Sequence, residues 1–151
     1  ASCLVGSEMC IRDSPGTDGQ KMSKSYSNTI NIFLSEKKLK KNVMSIQTDS
    51  KELEEPKDPD ACNVFKIYEL MASKEQTNTM RANYLAGGFG YGHAKKELLG
   101  LLIDEFSEER RIYNELIEDR TSIDMELKKG AVKARLVARE TLDVIRSKTG
   151  Y

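Results

Sequence analysis

Two lysines three residues apart, Lys21 and Lys24, stand in the run Lys21-Met22-Ser23-Lys24-Ser25, with Gly19 two residues ahead of it. An ammonium group is a compact point charge with several donors, and a backbone flanked by glycine can come close to a ligand. Together they suit the oxygens of a polyphosphate. The spacing is not that of a P-loop, which needs G-x-x-x-x-G-K-[ST]. On composition alone, a K-x-x-K pair more often marks a solvated basic loop. Residues 15–28 (PGTDGQKMSKSYSN) are rich in Gly, Ser and other turn formers, and read as an ordered but mobile loop. Lys21 and Lys24 are the candidate charge donors, with hydrogen bonds from Ser23, Ser25 and the Met22 backbone.

The elements that must position this loop read as helices. Ser35 precedes a Glu/Lys-rich run in which Leu39, Val43 and Ile46 recur at spacings of four and three, an amphipathic stripe. Residues 48–60 (TDSKELEEPKDPD) are polar and carry Pro56 and Pro59, so a boundary between two domains is expected there. Asp58, Pro59 and Asp60 look like a helix start, with Val64, Tyr68 and Met71 on one face. Ser73 and Gln76 form a capping box ahead of Met80 and Tyr84, and Gly87 is the stop. A long helix is expected over residues 92–119, with Leu98, Leu99, Leu102, Phe106, Tyr113, Leu116 and Ile117 as its core stripe. Ser122 should cap a short helix to Lys129, and Gly130 should separate it from a last helix bearing Ala134, Ala138, Leu142 and Ile145. No strand period occurs beyond residue 58, which points to a small helical bundle.

Charge is uneven along the second half. Residues 101–127 hold nine acidic and three basic residues, whereas Lys128, Lys129, Lys133, Arg135, Arg139, Arg146 and Lys148 crowd residues 128–148. Lysine and arginine of this kind can hold nucleic-acid phosphates, which makes Lys128, Lys129, Lys133 and Arg139 candidate RNA contacts. Pairing between helices and favourable cations near a helix C-terminus are the equally weighted structural uses. Tyr84, Phe89 and Tyr91, set among Gly87, Gly88, Gly90 and Gly92, could stack on bases but read better as core or turn anchors. The single histidine, His93, reads as a helix-start or surface residue.

Composition bounds the rest. The chain has 151 residues, 38% hydrophobic and 32% charged, with 24 basic and 24 acidic residues. The even balance removes a globally basic nucleic-acid binder. No apolar run reaches the length of a membrane span. Residues 3–14 (CLVGSEMCIRDS) read as an in-frame translation of a sequencing-library adapter, to be excluded from fold reasoning. Setting them aside leaves Cys62 as the lone cysteine, which suits a reducing compartment. No residue set is assigned to a resident metal.

The stretch GQKMSKSYSNTI resembles the KMSKS signature loop of class I aminoacyl-tRNA synthetases. Residues 15–30 (PGTDGQKMSKSYSNTI), 48–50 (TDS), 54–60 (EEPKDPD), 87–96 (GGFGYGHAKK) and 128–142 (KKGAVKARLVARETL) are similar, within that class, to the tryptophanyl family. The resemblance covers essentially everything from Pro15 onward. It implies a mainly α chain: residues 15–57 as the C-terminal edge of a Rossmann-like catalytic domain, and residues 58–151 as an α-helical bundle of the anticodon-binding type. It implies ATP-dependent activation of tryptophan and its transfer to tRNA(Trp), with Lys21 and Lys24 catalytic, Met22, Ser23 and Ser25 completing the ATP-binding loop, and Mg2+ accompanying ATP. A cytoplasmic homodimer is expected for the full-length protein. The family's other ATP signature, of the HIGH type, has no counterpart here, so the reading frame is expected to begin within a longer protein and the chain alone to be inactive. A tyrosyl-type fragment, or a non-enzymatic helical module binding RNA or protein, are the alternatives.

Overall fold

A computed structural model of the chain describes residues 14–150. Among the described residues six helices follow one another: α1 (Glu36–Met44), α2 (Asn63–Glu69), α3 (Lys74–Ala86), α4 (Tyr91–Glu105), α5 (Ser107–Glu118) and α6 (Arg120–Thr149), preceded by a 3-10 turn at Lys24–Tyr26. Extended pairing among the described residues is limited to one antiparallel bridge, Pro15 with Lys21. The chain divides into two compact units, one ending at Ser107 and the other starting at Glu108.

The first unit is built by α4, which packs on both α1 and α2, while α2 also meets α3. The apolar spacings explain why. Leu39 and Val43 on α1, with Ile46 just past its end, are buried, as are Val64, Phe65, Ile67 and Tyr68 on α2, Met80 and Tyr84 on α3, and Ala94, Leu98 and Leu102 on α4. Each large apolar side chain removed from water contributes about 1.5–3 kcal/mol. The capping box forms as the sequence predicts: Ser73 Oγ accepts the Gln76 N–H at 3.2 Å and Gln76 Oε1 accepts the Ser73 N–H at 2.9 Å. Lys95 on α4 donates to the carbonyls of Met44 (3.0 Å) and Ile46 (2.7 Å), so a cation closes the C-terminal end of α1. Tyr84 meets the rings of Phe65, Phe89 and Tyr91 at centroid distances of 5.7, 5.8 and 6.1 Å, which makes these aromatics core anchors. His93 is exposed in the first turn of α4.

Residues 48–60 lie inside the first unit. Lys57 is the cause. It is only 2% exposed, and its ammonium donates to the carbonyls of Glu52 (2.7 Å), Leu53 (3.2 Å) and Glu55 (3.0 Å), with the Tyr91 ring centroid 5.4 Å away. Its backbone N–H donates to the Tyr84 carbonyl at 2.7 Å. Gly87, at φ +77°, closes α3 where the loop comes nearest. A Cβ there would stand 2.5 Å from the Glu54 carbonyl oxygen.

Several helix limits differ from the sequence reading. Pro59, Asp60 and Ala61 form a turn, with the Cys62 N–H donating to the Pro59 carbonyl, and α2 starts only at Asn63. The long helix expected over residues 92–119 breaks at Phe106, whose φ of −101° and ψ of 21° leave the helical region while its ring stays packed on the core. Tyr113, Leu116 and Ile117 are exposed rather than core. Asp119, not Ser122, caps α6, accepting the Ser122 N–H at 3.2 Å. Gly130 interrupts nothing: a glycine costs about 1 kcal/mol within a helix, too little to break one flanked by Lys, Ala and Arg.

In the second unit no side chain of α6 is buried. Local pairs decorate the helices: Arg111 with Glu108 (2.6 Å) and with Glu115 on α5, and Lys129 with Glu126 (2.5 Å) on α6. Among the described residues no helix is long and apolar enough to cross a membrane.

Replacing Lys57 by methionine keeps the aliphatic stem but leaves three carbonyls without their donor. Urea unfolding should show a loss of about 2–3 kcal/mol, and amide exchange over residues 49–57 should quicken more than in α2. Unchanged stability would show that the ammonium contributes nothing to the loop.

Candidate functional site

The loop that carries the two lysines is built by hydrogen bonds short in sequence. Pro15 and Lys21 pair as a bridge, the Met22 N–H donates to the Ser14 carbonyl at 2.8 Å, and the Gly16 N–H donates to the Gln20 carbonyl at 2.6 Å. The reversal between them runs through Gly19 at φ +81°. Asp18 Oδ1 accepts the Gln20 N–H at 3.0 Å, an Asx turn that tightens this end. Ser23 is extended, and its hydroxyl accepts the Ser25 N–H at 3.3 Å, which caps the single 3-10 turn Lys24–Tyr26. Ser27 then turns the chain back through the left-handed region at φ 54°.

Lys21 therefore sits at the end of a tight reversal and Lys24 opens a helical turn, with one extended residue, Ser23, and Met22 between them. Both lysines are exposed. Met22 lies the other way. It lines an apolar depression of about 210 Å³ together with Pro15, Ile30, Ile32, Leu70 and Phe106. The motif thus divides by chemistry, its methionine on the apolar surface of the unit and its cations toward water.

Three residues outside the lysine motif hold this arrangement, and the sequence reading had not singled them out. Asn28 is 2% exposed, and its side chain bonds Ser23, Lys21 and Asp18. Asp18 is held below the usual carboxylate range, first by the Asn28 amide, with burial opposing it and the Gln20 N–H adding a lesser pull downward. A carboxylate lowered in this way adds stability that is complete at neutral pH and is lost as pH falls through its own titration. Gly16 is where the chain passes Asn28: a Cβ there would stand 2.5 Å from Asn28 Nδ2 and 2.8 Å from its carbonyl oxygen. The only sequence signal for this trio was an asparagine closing a run of serines and glycines, a common place for a side chain that bonds its own loop.

The loop is tied to the helical body at two points. Thr17 donates its N–H to the Asn28 carbonyl (2.9 Å) and accepts the Gln47 N–H at 2.8 Å, just past α1. Asn63, the first residue of α2, donates to the Gln47 carbonyl at 3.2 Å and stands so close to Gly19 that a Cβ there would meet its Oδ1 at 2.5 Å. The loop expected to be mobile is thus braced along its base.

The remaining candidates lie on α6. Lys128, Lys129, Lys133 and Arg139 are all exposed, and Lys129 is engaged by Glu126 one turn earlier. Arg139 lines a shallow groove along α6 with Arg135, Arg146, Val132 and Leu142. No three His, Cys, Asp or Glu side chains among the described residues are grouped so as to hold a metal ion.

Comparison with known proteins places this geometry. Residues 10–107 match the family model described as "tRNA synthetases class I (W and Y)". The tryptophan--tRNA ligase of Fusobacterium nucleatum is 51% identical over 128 residues, which are 85% of this chain and 39% of that protein. The tryptophan--tRNA ligase of Campylobacter jejuni is 49% identical over 135 residues, 89% of this chain and 42% of that protein. A crystal structure of tryptophanyl-tRNA synthetase from Campylobacter jejuni, complexed with ADP and tryptophan, superposes with a TM-score of 0.86 at 47% identity. It covers 92% of this chain and 44% of that one. The chain thus spans well under half the length of the relatives it matches. Its braced KMSKS loop on a helical body, matched by the family model across that whole region, makes it a member of the class I tRNA synthetase family of the tryptophan and tyrosine kind.

Proposed function

We propose that this chain is the part of a cytoplasmic tryptophan--tRNA ligase that runs from the KMSKS loop onward. The full-length protein would join tryptophan to ATP and pass the aminoacyl group to tRNA(Trp). The observation that carries this reading is the loop itself, with Lys21 and Lys24 turned to water from a braced base, in a chain whose relatives are named for that activity.

The chemistry follows from where charge moves. A tryptophan carboxylate oxygen attacks the α-phosphorus, the bond to the β-phosphate bridging oxygen breaks, and pyrophosphate leaves with its electron pair. Negative charge grows on the β- and γ-phosphates as that bond breaks. Ammonium groups placed there stabilise the transition state more than the bound ground state. Lys24, at the start of the 3-10 turn, would make the principal contact and Lys21 the second. The Ser23 and Ser25 hydroxyls and the Met22 backbone would add hydrogen bonds. The loop supplies cations rather than carboxylates, so Mg2+ would arrive bound to the phosphates, and no residue described here would hold it. On α6, Lys128, Lys129, Lys133 and Arg139 would hold tRNA phosphates, giving affinity without reading bases. The full-length protein would act as a homodimer, in keeping with the resemblance from which that expectation came.

In the full-length protein, Lys24→Ala should lower tryptophan-dependent ATP–pyrophosphate exchange by about 2–4 kcal/mol in kcat while tryptophan binding changes little. Equal activity of variant and parent would remove the loop from this chemistry.

For the basic face, Lys129→Ala with Lys133→Ala should flatten the salt dependence of tRNA affinity by about one to two units of slope and weaken cognate and non-cognate tRNA alike. Because Lys129 already pairs with Glu126, an unchanged slope would assign these lysines to helix pairing.

A further inference from the structure

The Asn28 side chain uses its acceptor and its amide donors within one small loop. Oδ1 accepts the Ser23 N–H at 2.7 Å, and Nδ2 donates to the Lys21 carbonyl at 3.1 Å and to Asp18 Oδ1 at 2.8 Å. The Lys21 carbonyl and the Ser23 N–H belong to the two peptide groups on either side of Met22. Holding both fixes the direction in which the chain leaves Lys21 and enters Ser23. Ser23 in turn caps the turn that Lys24 opens. Asn28 is itself held, by the Thr17 N–H on its carbonyl at 2.9 Å and by the missing side chain of Gly16.

Only a carboxamide meets all three demands. A hydroxyl has a single hydrogen to donate, and a carboxylate has none, so an aspartate at this position would accept from Ser23 but oppose the Lys21 carbonyl and the Asp18 carboxylate. The fit is to the backbone between the two cations, not to the packing of the helices.

We propose that Asn28 is a positioning residue for ATP activation: clasped to Asp18, it sets the register in which Lys21 and Lys24 are presented to one polyphosphate. The inference rests on the reading of Lys24 given above. Asn28 touches no substrate. It acts through the backbone of the residues that do, and its contribution exists only while the lysines are there to be placed.

That dependence supplies the test, a double-mutant cycle in the full-length protein read by tryptophan-dependent pyrophosphate exchange. Asn28→Ala should lower kcat by about 10- to 100-fold, the usual loss for charged groups misplaced by an ångström or so, with KM for tryptophan moving less than about threefold. Asn28→Asp should cost at least as much. In a Lys24→Ala background the same Asn28→Ala change should cost less than about threefold, because there is one fewer cation to misplace. An equal loss in both backgrounds would make Asn28 a fold residue only and overturn the proposal, as would full activity of Asn28→Ala. Should Asn28→Ala fail to fold, Asp18→Ala removes one of the amide's three partners and goes through the same cycle. It is expected to give a smaller loss with the same dependence on Lys24, and additivity there overturns the proposal equally. If Lys24→Ala alone costs nothing, the ATP reading fails and this inference falls with it; if Lys24→Ala is impaired while the Asn28 and Asp18 variants are not, only the inference falls.

Discussion

A buried ammonium organises the first unit. Lys57 gives up its hydration, a cost of several kcal/mol for an isolated ion, and receives three carbonyl oxygens and an aromatic face in return. Those carbonyls all come from a stretch with no regular structure of its own. Gathered round one cation, they turn it into a fixed cover over Tyr84 and Tyr91. Tyr91 then donates its hydroxyl to Asp49 at 2.5 Å, and both groups respond as such a bond requires, the phenol raised by burial and by Asp49, the carboxyl lowered by Tyr91. Asp49 follows Gln47 and Thr48 directly in the chain, so the cover reaches the segment on which the lysine loop is braced.

The lysine loop solves a different problem with similar means. It carries two like charges three residues apart, which repel each other and favour an open, solvated chain. The base is therefore over-determined, by the Pro15–Lys21 bridge, the Thr17 link to Gln47 and the Asn28 clasp. Rigid support beneath and a short exposed turn above is an arrangement that lets charge be placed without freezing the side chains that carry it. Preorganisation of this kind lowers the reorganisation needed as charge develops on a bound phosphate.

Much of this was legible in the sequence because it rests on local periodicity. Leu39, Val43 and Ile46 repeat at helical spacing and are buried; Ser73 and Gln76 stand three apart and form their box; the lysine motif was recognisable from its own residues. What escaped depends on partners distant or conformational. Lys57 lies in a charged, proline-bearing run, and nothing in that run tells that its carbonyls will converge on one ammonium or that Tyr91 will lie beside it. Asn28 closes a run of serines and glycines, and an amide bonding two peptide groups leaves no periodic trace. Phe106 and Gly130 misled in opposite senses. Phe106 continues the apolar stripe yet ends α4, because its ring remains on the core where the first unit closes, and Gly130 looks like a stop yet stays helical because its neighbours favour helix.

Thirty residues at 1.5 Å rise make α6 a rod about 45 Å long, and none of its side chains is buried in this chain. Without a packed face, its helicity draws on intrinsic propensity, the Asp119 cap, the left-handed Gly150 at its end and the Lys129–Glu126 pair. Such a helix gains and loses turns one at a time from its ends, whereas α1 to α4 share a core and yield together. The two units therefore obey different statistics: heating this chain would superimpose a sharp, cooperative transition from the first on a gradual helix–coil drift from the second, with α5 and α6 responding smoothly to temperature.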